Sequence, residues 1–408
     1  MKRTLPLMLL LFLVRVTMCK KNEEVIDYPT TILMDPIHLA TTKAAIKNGD
    51  AKYKPAFNQL IAEAEAALKE GPFSVTDKEK MAPSGDIHDY ASYSRYWWPD
   101  PKTTNGLPYI RRDGETNPDS QSLVKSDRQR LGTFAEHTET LGLAYYFTGE
   151  EKYAEKAASL LRVWFIDSAT LMHPNLNHAQ CRPGHNEGTK SGVLDGRLII
   201  KALEGAQLIS KLGALSPKEY SALKAWSNAY LKWLTTNEMA LEEAASLNNH
   251  GSFYDVQALY FALYADNRKM ATRIAQRFAH KRILSQIQLN GTMPEEMART
   301  RSLFYSIYNL HAMFTVAHLA KRVDIDLWKV GDKDSRLRLA LDYLAPYADE
   351  NRSWPIPTIG EADRMELLAI FQMANDGYPK GNYLKFIESL PLERRQIQRT
   401  NLAYPLMR

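Results

Sequence analysis

Ala51–Glu70 reads A-K-Y-K-P-A-F-N-Q-L-I-A-E-A-E-A-A-L-K-E. Apolar residues recur three and four apart, and Pro55 stands near the start, where a helix tolerates a missing N–H. The stretch predicts one amphipathic helix. The same spacing returns over 130–148, 152–165, 190–212, 217–236, 252–265, 267–287, 300–322, 334–347 and 363–377. The breaks near Gly149 and Asp266 are short, as links between neighbouring helices usually are. Few segments alternate apolar and polar residues, so few strands are expected. Successive helices of similar length with short links predict stacked helical hairpins. No repeat of fixed length is visible, which argues against an open repeat solenoid. The expectation is an all-α chain: a single-domain α/α toroid of about six to seven helical hairpins over residues 31–408.

Two stretches break the helical pattern, Met81–Pro118 and His173–Gly188. Long loops without structure of their own are usually functional or disordered. These are rich in aromatic, His and Arg residues, which is not the composition of disorder. They are expected to wall a binding groove. Tyr90, Tyr93, Tyr96, Trp97 and Trp98 are candidates to stack on sugar rings, against the alternative of ordinary loop packing. Gln180, Arg182 and His185 are candidates to hold carboxylates, since arginine binds them in bidentate fashion. His137 is a further candidate for the groove, or an ordinary helix histidine.

The 408 residues are 45% hydrophobic and 24% charged, the composition of a globular protein. Residues 1–18 have a basic start and an apolar run from Leu5 to Val14, and read as a signal peptide too short to span a membrane. Cys19, directly after it, is a candidate lipoprotein anchor, and residues 19–30 read as a tether. Export to the periplasm or the outer membrane of a bacterium follows as an expectation. Removing 1–18 takes away Lys2, Arg3 and Arg15 and no acid, which brings the formal charge of +5 closer to balance. Such a balance does not suggest nucleic acid. With two cysteines there is no disulfide framework. His173, His178, His185 and Glu187 fit no compact metal-binding spacing, so neither metal nor cofactor is expected.

The chemistry concentrates in two motifs. Leu247–Asp255 reads L-N-N-H-G-S-F-Y-D, with Asn249 and His250 at the head of an apolar helix. Helix N-termini favour anions, and an amide and an imidazole add hydrogen bonds to a carboxylate. The bland alternative is an N-capping asparagine beside a satisfied core histidine. Further on, Arg299 and Arg301 precede Tyr305 and Tyr308, and Arg301 and Tyr305 are four apart on one helix face.

N-N-H-G-S-F-Y-D followed by E-E-M-A-R-T-R-S-L-F-Y-S-I-Y-N-L resembles the alginate lyase superfamily of α/α toroids, polysaccharide lyase families 5, 17 and 38. D-Y-A-S-Y-S-R-Y-W-W-P-D-P and N-L-N-H-A-Q-C-R-P-G are similar to that superfamily's groove loops. The chain is too short for the extra β-sheet domain of family 17, and family 38 is the nearest resemblance. The resemblance implies catalytic roles for Asn249, His250, Tyr305 and Arg299, with the choice between Arg299 and Arg301 left open by a one-residue difference in spacing. Substrate contacts are expected from Tyr93, Tyr96, Trp97, Trp98, Gln180, Arg182, His185, Tyr254 and Arg301.

The implied reaction is metal-independent β-elimination on a 1,4-linked polyuronate, alginate first and glucuronan next. Asn249, His250 and an arginine would offset the carboxylate charge and stabilise the enolate-like state. A neighbouring arginine is expected to lower the pKa of Tyr305, which would then serve as base and afterwards as acid. His250 is the alternative base when proton and leaving group lie on opposite sugar faces. Two rival readings remain. A glycoside hydrolase would use a carboxylate pair drawn from Asp89, Asp255, Glu295, Glu296 and Asp363. A non-catalytic glycan-binding lipoprotein would need the aromatics and arginines only.

Overall fold

A helix that packs on one side carries one apolar stripe, whereas a helix enclosed on all sides is apolar all round. Both kinds occur here, and they sort the chain into two layers. The computed structural model describes residues 28–123 and 125–404; the signal peptide, Cys19 and most of the expected tether lie outside them. The first helices are α1 (Pro36–Lys47), α2 (Lys54–Ala67), α3 (Asp127–Thr148), α4 (Glu151–Phe165), α5 (Ile199–Leu208), α6 (Pro217–Thr236) and α7 (Glu238–Ala244). Then come α8 (Asn249–Tyr264), α9 (Arg268–Phe278), α10 (Pro294–Met297), α11 (Ser302–Ala320), α12 (Arg336–Leu344) and α13 (Glu366–Gly377). Three short helices end the chain: α14 (Leu384–Ser389), α15 (Leu392–Arg395) and α16 (Thr400–Ala403).

Helices α8 and α11 bury residues on every face. By contrast α9 buries only Ala271, Ile274, Ala275 and Phe278, and α12 only Leu337, Ala340, Leu341 and Leu344. Those are single stripes at three- and four-residue spacing. The inner helices α3, α5, α8, α11 and α13 form the inner layer: α3 packs on α5, and α8 and α13 on α11. Each outer helix leans on one of them, α2 and α4 on α3, α6 and α9 on α8, α12 on α11. The fold is all-α, an α/α toroid, as the spacing predicts. α3 and α5 approach closely at Gly142 and Gly205, where a Cβ on Gly142 would lie 2.9 Å from the Gly205 Cα.

The helix boundaries differ from expectation in instructive places. The segment 190–212 opens as a 3₁₀ helix, Lys190–Leu198, before α5 begins. The segment 267–287 contains a π-helical turn, Ala279–Leu284, which swings Arg282 into the core, where it bonds Asp255 and the carbonyls of Ser246 and Ala244. The two groove loops carry strands too short to show an alternating pattern: β1 (Ala91–Tyr93), β2 (Trp97–Trp98), β3 (Ile110–Arg111) and β4 (His178–Cys181). β1 pairs in parallel with β4, and β2 antiparallel with β3. The strand pairs tie the two loops to each other and stiffen them. No described helix is long and apolar enough to cross a membrane.

Candidate active site

At the head of α8, Asn248 is the N-cap, and its side chain accepts from the His250 N–H at 3.2 Å. Asn249 is the first helical residue and is buried. Its backbone N–H donates to Glu296 Oε1 at 2.5 Å and its Nδ2 to Glu296 Oε2 at 2.8 Å. The helix N-terminus expected to meet an external anion is therefore occupied by a carboxylate of the protein itself, and side chains remain to meet the ligand. Gly251 is required: a Cβ there would run into the Ser246 carbonyl and the Arg282 guanidinium.

His250 Nδ1 makes a short hydrogen bond to the buried Glu243 carboxylate at the end of α7. A carboxylate accepts, so Nδ1 carries a proton, and the neutral tautomer compatible with this bond has its lone pair at Nε2. Glu296 is fully enclosed. Burial above all pushes its pKa up to about 7, against the bonds from Asn249 and the nearby His250 and Arg299.

Tyr305 rises from the first turns of α11. Its hydroxyl lies 2.8 Å from that of Tyr96, which the β1–β2 loop brings across. The Arg299 guanidinium sits 3.9 Å above the Tyr305 ring and donates to Asp113 at 3.1 Å. The expected lowering of the Tyr305 pKa is not found. Burial raises it, Tyr96 adds to that, and Arg299 only partly offsets them. At rest Tyr305 is a neutral phenol.

These groups open into one cleft of about 690 Å³. Its lining includes Asn249, His250, Arg299, Tyr305, Tyr93, Tyr96, Trp97, Gln180 and Arg182, nine of the residues singled out in the sequence. Four others lie elsewhere. Tyr254 is buried and its hydroxyl donates to the Leu234 carbonyl. Trp98 bonds the Glu115 carbonyl and lies under Arg112, and His185 bonds the Tyr109 carbonyl and packs edge-on to Trp97 from behind. Arg301 stands before the first turn of α11, so the four-residue spacing does not hold; it lies over Phe304 and reaches the Glu361 carbonyl. Of the two, Arg299 lines the cleft and Arg301 does not. Tyr90 is fully buried against Asp195, and His137 faces Glu70 and Phe73.

Sequence reading passed over Arg95, Arg111, Arg128, Lys190 and Arg197, which also line the cleft. They belong to no spaced motif; only the arginine-rich character of the loops could have signalled two of them. With Arg182 and Arg299 they make seven basic side chains against four acidic ones, Asp113, Asp195, Glu243 and Glu295. Three of those acids are engaged, by Arg299, by Arg128 and by His250. Among the described residues, Arg95 Nε and Arg299 Nε are buried without an acceptor. A bound carboxylate would satisfy such donors.

The carboxylates a hydrolase would need are committed to other work. Asp89 bonds His173 and Asn175, Asp255 is clamped by Arg277 and Arg282, Glu296 holds Asn249, and Asp363 pairs with Arg394 at the surface. Of the five, only Glu295 lines the cleft. No group of three or more His, Cys, Asp and Glu among the described residues is arranged to hold a metal ion.

The family model described as alginate lyase matches residues 74–354. An alginate lyase from Bacteroides ovatus is 37% identical, covers 93% of this chain and 100% of its own, and superposes with a TM-score of 0.87. Alginate lyase A1-III from Sphingomonas species A1 is 16% identical over 94% of this chain and 98% of its own, with a TM-score of 0.58, a likeness of fold. Two variants of that protein complexed with tetrasaccharide superpose with TM-scores of 0.59 and 0.60. No curated protein matches the chain.

Proposed function

The chain belongs to the alginate lyase family and is a polysaccharide lyase; from that premise we propose that it cleaves alginate by β-elimination at Asn249, His250, Arg299 and Tyr305, without a metal ion. The observation that carries this reading is the convergence of those four side chains on one cationic cleft, with the Tyr305 hydroxyl held by Tyr96. Asn249 and Arg299 donate to the C5 carboxylate of a uronate. That withdraws charge as the C5 proton leaves and the enolate-like state forms. The C5–H electrons form the C4–C5 double bond, the C4–O bond breaks, and the bridging oxygen takes a proton.

Two proton routes follow from sugar stereochemistry. On guluronate, proton and leaving group lie on opposite faces: His250 Nε2 takes the C5 proton and Tyr305 gives its own to the oxygen. That route uses Tyr305 as the protonated phenol it is at rest. On mannuronate both lie on one face, and Tyr305 must lose its proton before it can act as base and then as acid. The aromatic residues Tyr93, Tyr96 and Trp97 flank the chain, and Arg182, stacked 4.6 Å over Trp97, holds a neighbouring carboxylate. Export, with lipid on Cys19, belongs to the same proposal; mass spectrometry of the mature N-terminus tests it.

The deciding experiment follows ultraviolet absorbance with alginate, polymannuronate, polyguluronate and glucuronan in the presence of a chelator. Elimination creates a conjugated double bond, so absorbance rises with alginate and its homopolymers. New reducing ends without absorbance would instead make the cleavage hydrolytic, and dependence on added metal would overturn the metal-free scheme.

A further inference from the structure

We infer that Glu296 is a positioning residue for elimination: its carboxylate clasps Asn249 at two points and sets the side-chain amide toward the substrate. The inference rests on the assignment of Asn249 as a donor to the uronate carboxylate. Asn249 carries one backbone N–H and two side-chain N–H groups. Glu296 takes the backbone N–H and one side-chain N–H, each on a different oxygen. Rotation of the amide is then fixed, and the second Nδ2 proton is the donor left for the cleft that Asn249 lines.

The cost of this arrangement argues for a role. Glu296 is a fully buried carboxylate with no cation bonded to it among the described residues, held by two neutral donors and the positive end of α8. Asn248 caps α8 at the His250 N–H and one Glu296 oxygen takes the Asn249 N–H, so the bond from Asn249 Nδ2 to the other oxygen goes beyond what capping needs. The clasp works fully only while both oxygens accept, that is, in the ionised form. The groups around it are His250 on α8, Arg299 beyond α10 and Glu243 on α7, which faces it through His250. With a pKa near 7, the clasp loosens as pH falls through neutrality.

The test compares wild type with Glu296→Gln, Glu296→Asp, Asn249→Ala and His250→Ala, by steady-state kinetics and by the Asn249 side-chain amide signals in protein labelled at asparagine. Those signals are assigned by their loss in Asn249→Ala. Glutamine presents an NH₂ to one of the two donors, so kcat falls at least about tenfold with KM within about threefold. The Asn249 signals move between pH 5.5 and 8.5 in wild type and in His250→Ala, and stay still in Glu296→Gln. If Glu296→Gln fails to fold by circular dichroism, Glu296→Asp, too short to reach both donors, is read in its place. Wild-type kcat in the Glu296 variant alongside an inactive Asn249→Ala overturns the clasp, as do pH-independent signals in wild type. Full activity in Asn249→Ala overturns instead the assignment of Asn249 itself.

Discussion

Tyr305 holds its proton at rest because burial and the facing Tyr96 hydroxyl outweigh the arginine stacked above it. Two outcomes follow. Tyr305→Phe removes the proton donor while keeping the ring under Arg299; turnover falls by at least about a hundredfold, and binding measured by calorimetry with oligouronate stays near wild type. Cleavage of polymannuronate, which needs the phenolate, accelerates as pH rises on the alkaline side, since a raised pKa leaves less phenolate at neutral pH. Cleavage of polyguluronate, which uses the phenol, does not gain in that range. Matching alkaline profiles for the two polymers would reject the two-route scheme. At this scale the sequence was informative about which side chains meet: Asn249, His250, Arg299 and Tyr305, drawn from two separate motifs, line one cleft. It misled where direction matters. Tyr254 lies four residues beyond His250 yet points its hydroxyl at the Leu234 carbonyl, and Glu296 reads as a loose hydrolytic acid although it is enclosed against Asn249. Nothing local in the sequence records which way a side chain leaves its helix.

The helices were legible because an apolar stripe is a local signal, complete within a few turns; α9 and α12 are examples. The strands were not. β1 and β4 are held together across residues 91 and 178, and a three-residue strand has no period to read. The π-helical turn over Ala279–Leu284 escaped for the same reason: its purpose, delivering Arg282 to Asp255 and to the end of α7, lies outside the segment. Packing between elements leads to a prediction of its own. Gly205 lets α5 cross α3 with backbone on backbone, and a Cβ there would strike the Thr138 carbonyl. Gly205→Ala overpacks that crossing and costs about 1–3 kcal/mol, read as a lower denaturant midpoint. The crossing is formed by helix bodies away from the cleft lining, so KM for alginate stays within about twofold of wild type. A large rise in KM would mean that the crossing sets the shape of the cleft.

A toroid needs its first and last helices tied together, or the ring springs open and the cleft at its end widens. Two devices close it here. The segment before α1 lies across the ring: Glu204 on α5 accepts from the backbone N–H groups of Ile32 and Met34, and His318 and Arg322 donate to the Leu33 and Ile32 carbonyls. From the other end of the chain, Arg399 reaches Glu63 on α2 and Glu136 and Glu139 on α3. Burial raises the Glu136 pKa, but Lys201 and Arg399 together overcome that and hold it at about 2. A carboxyl held below its unfolded value stabilises the fold above that unfolded value, near 4.5, and the contribution fades as pH falls from there toward 2. Arg399→Ala strips the shared cation from three carboxylates, of which Glu139 is mostly buried. The loss is on the order of 3 kcal/mol at neutral pH, and the acid-unfolding midpoint followed by circular dichroism moves to higher pH. Because α3 also carries Arg128 into the cleft, the same variant weakens substrate binding more than it slows chemistry. A variant that melts earlier yet keeps the wild-type acid midpoint would show that Arg399 closes the ring by packing alone, with Lys201 sufficient to hold Glu136 ionised.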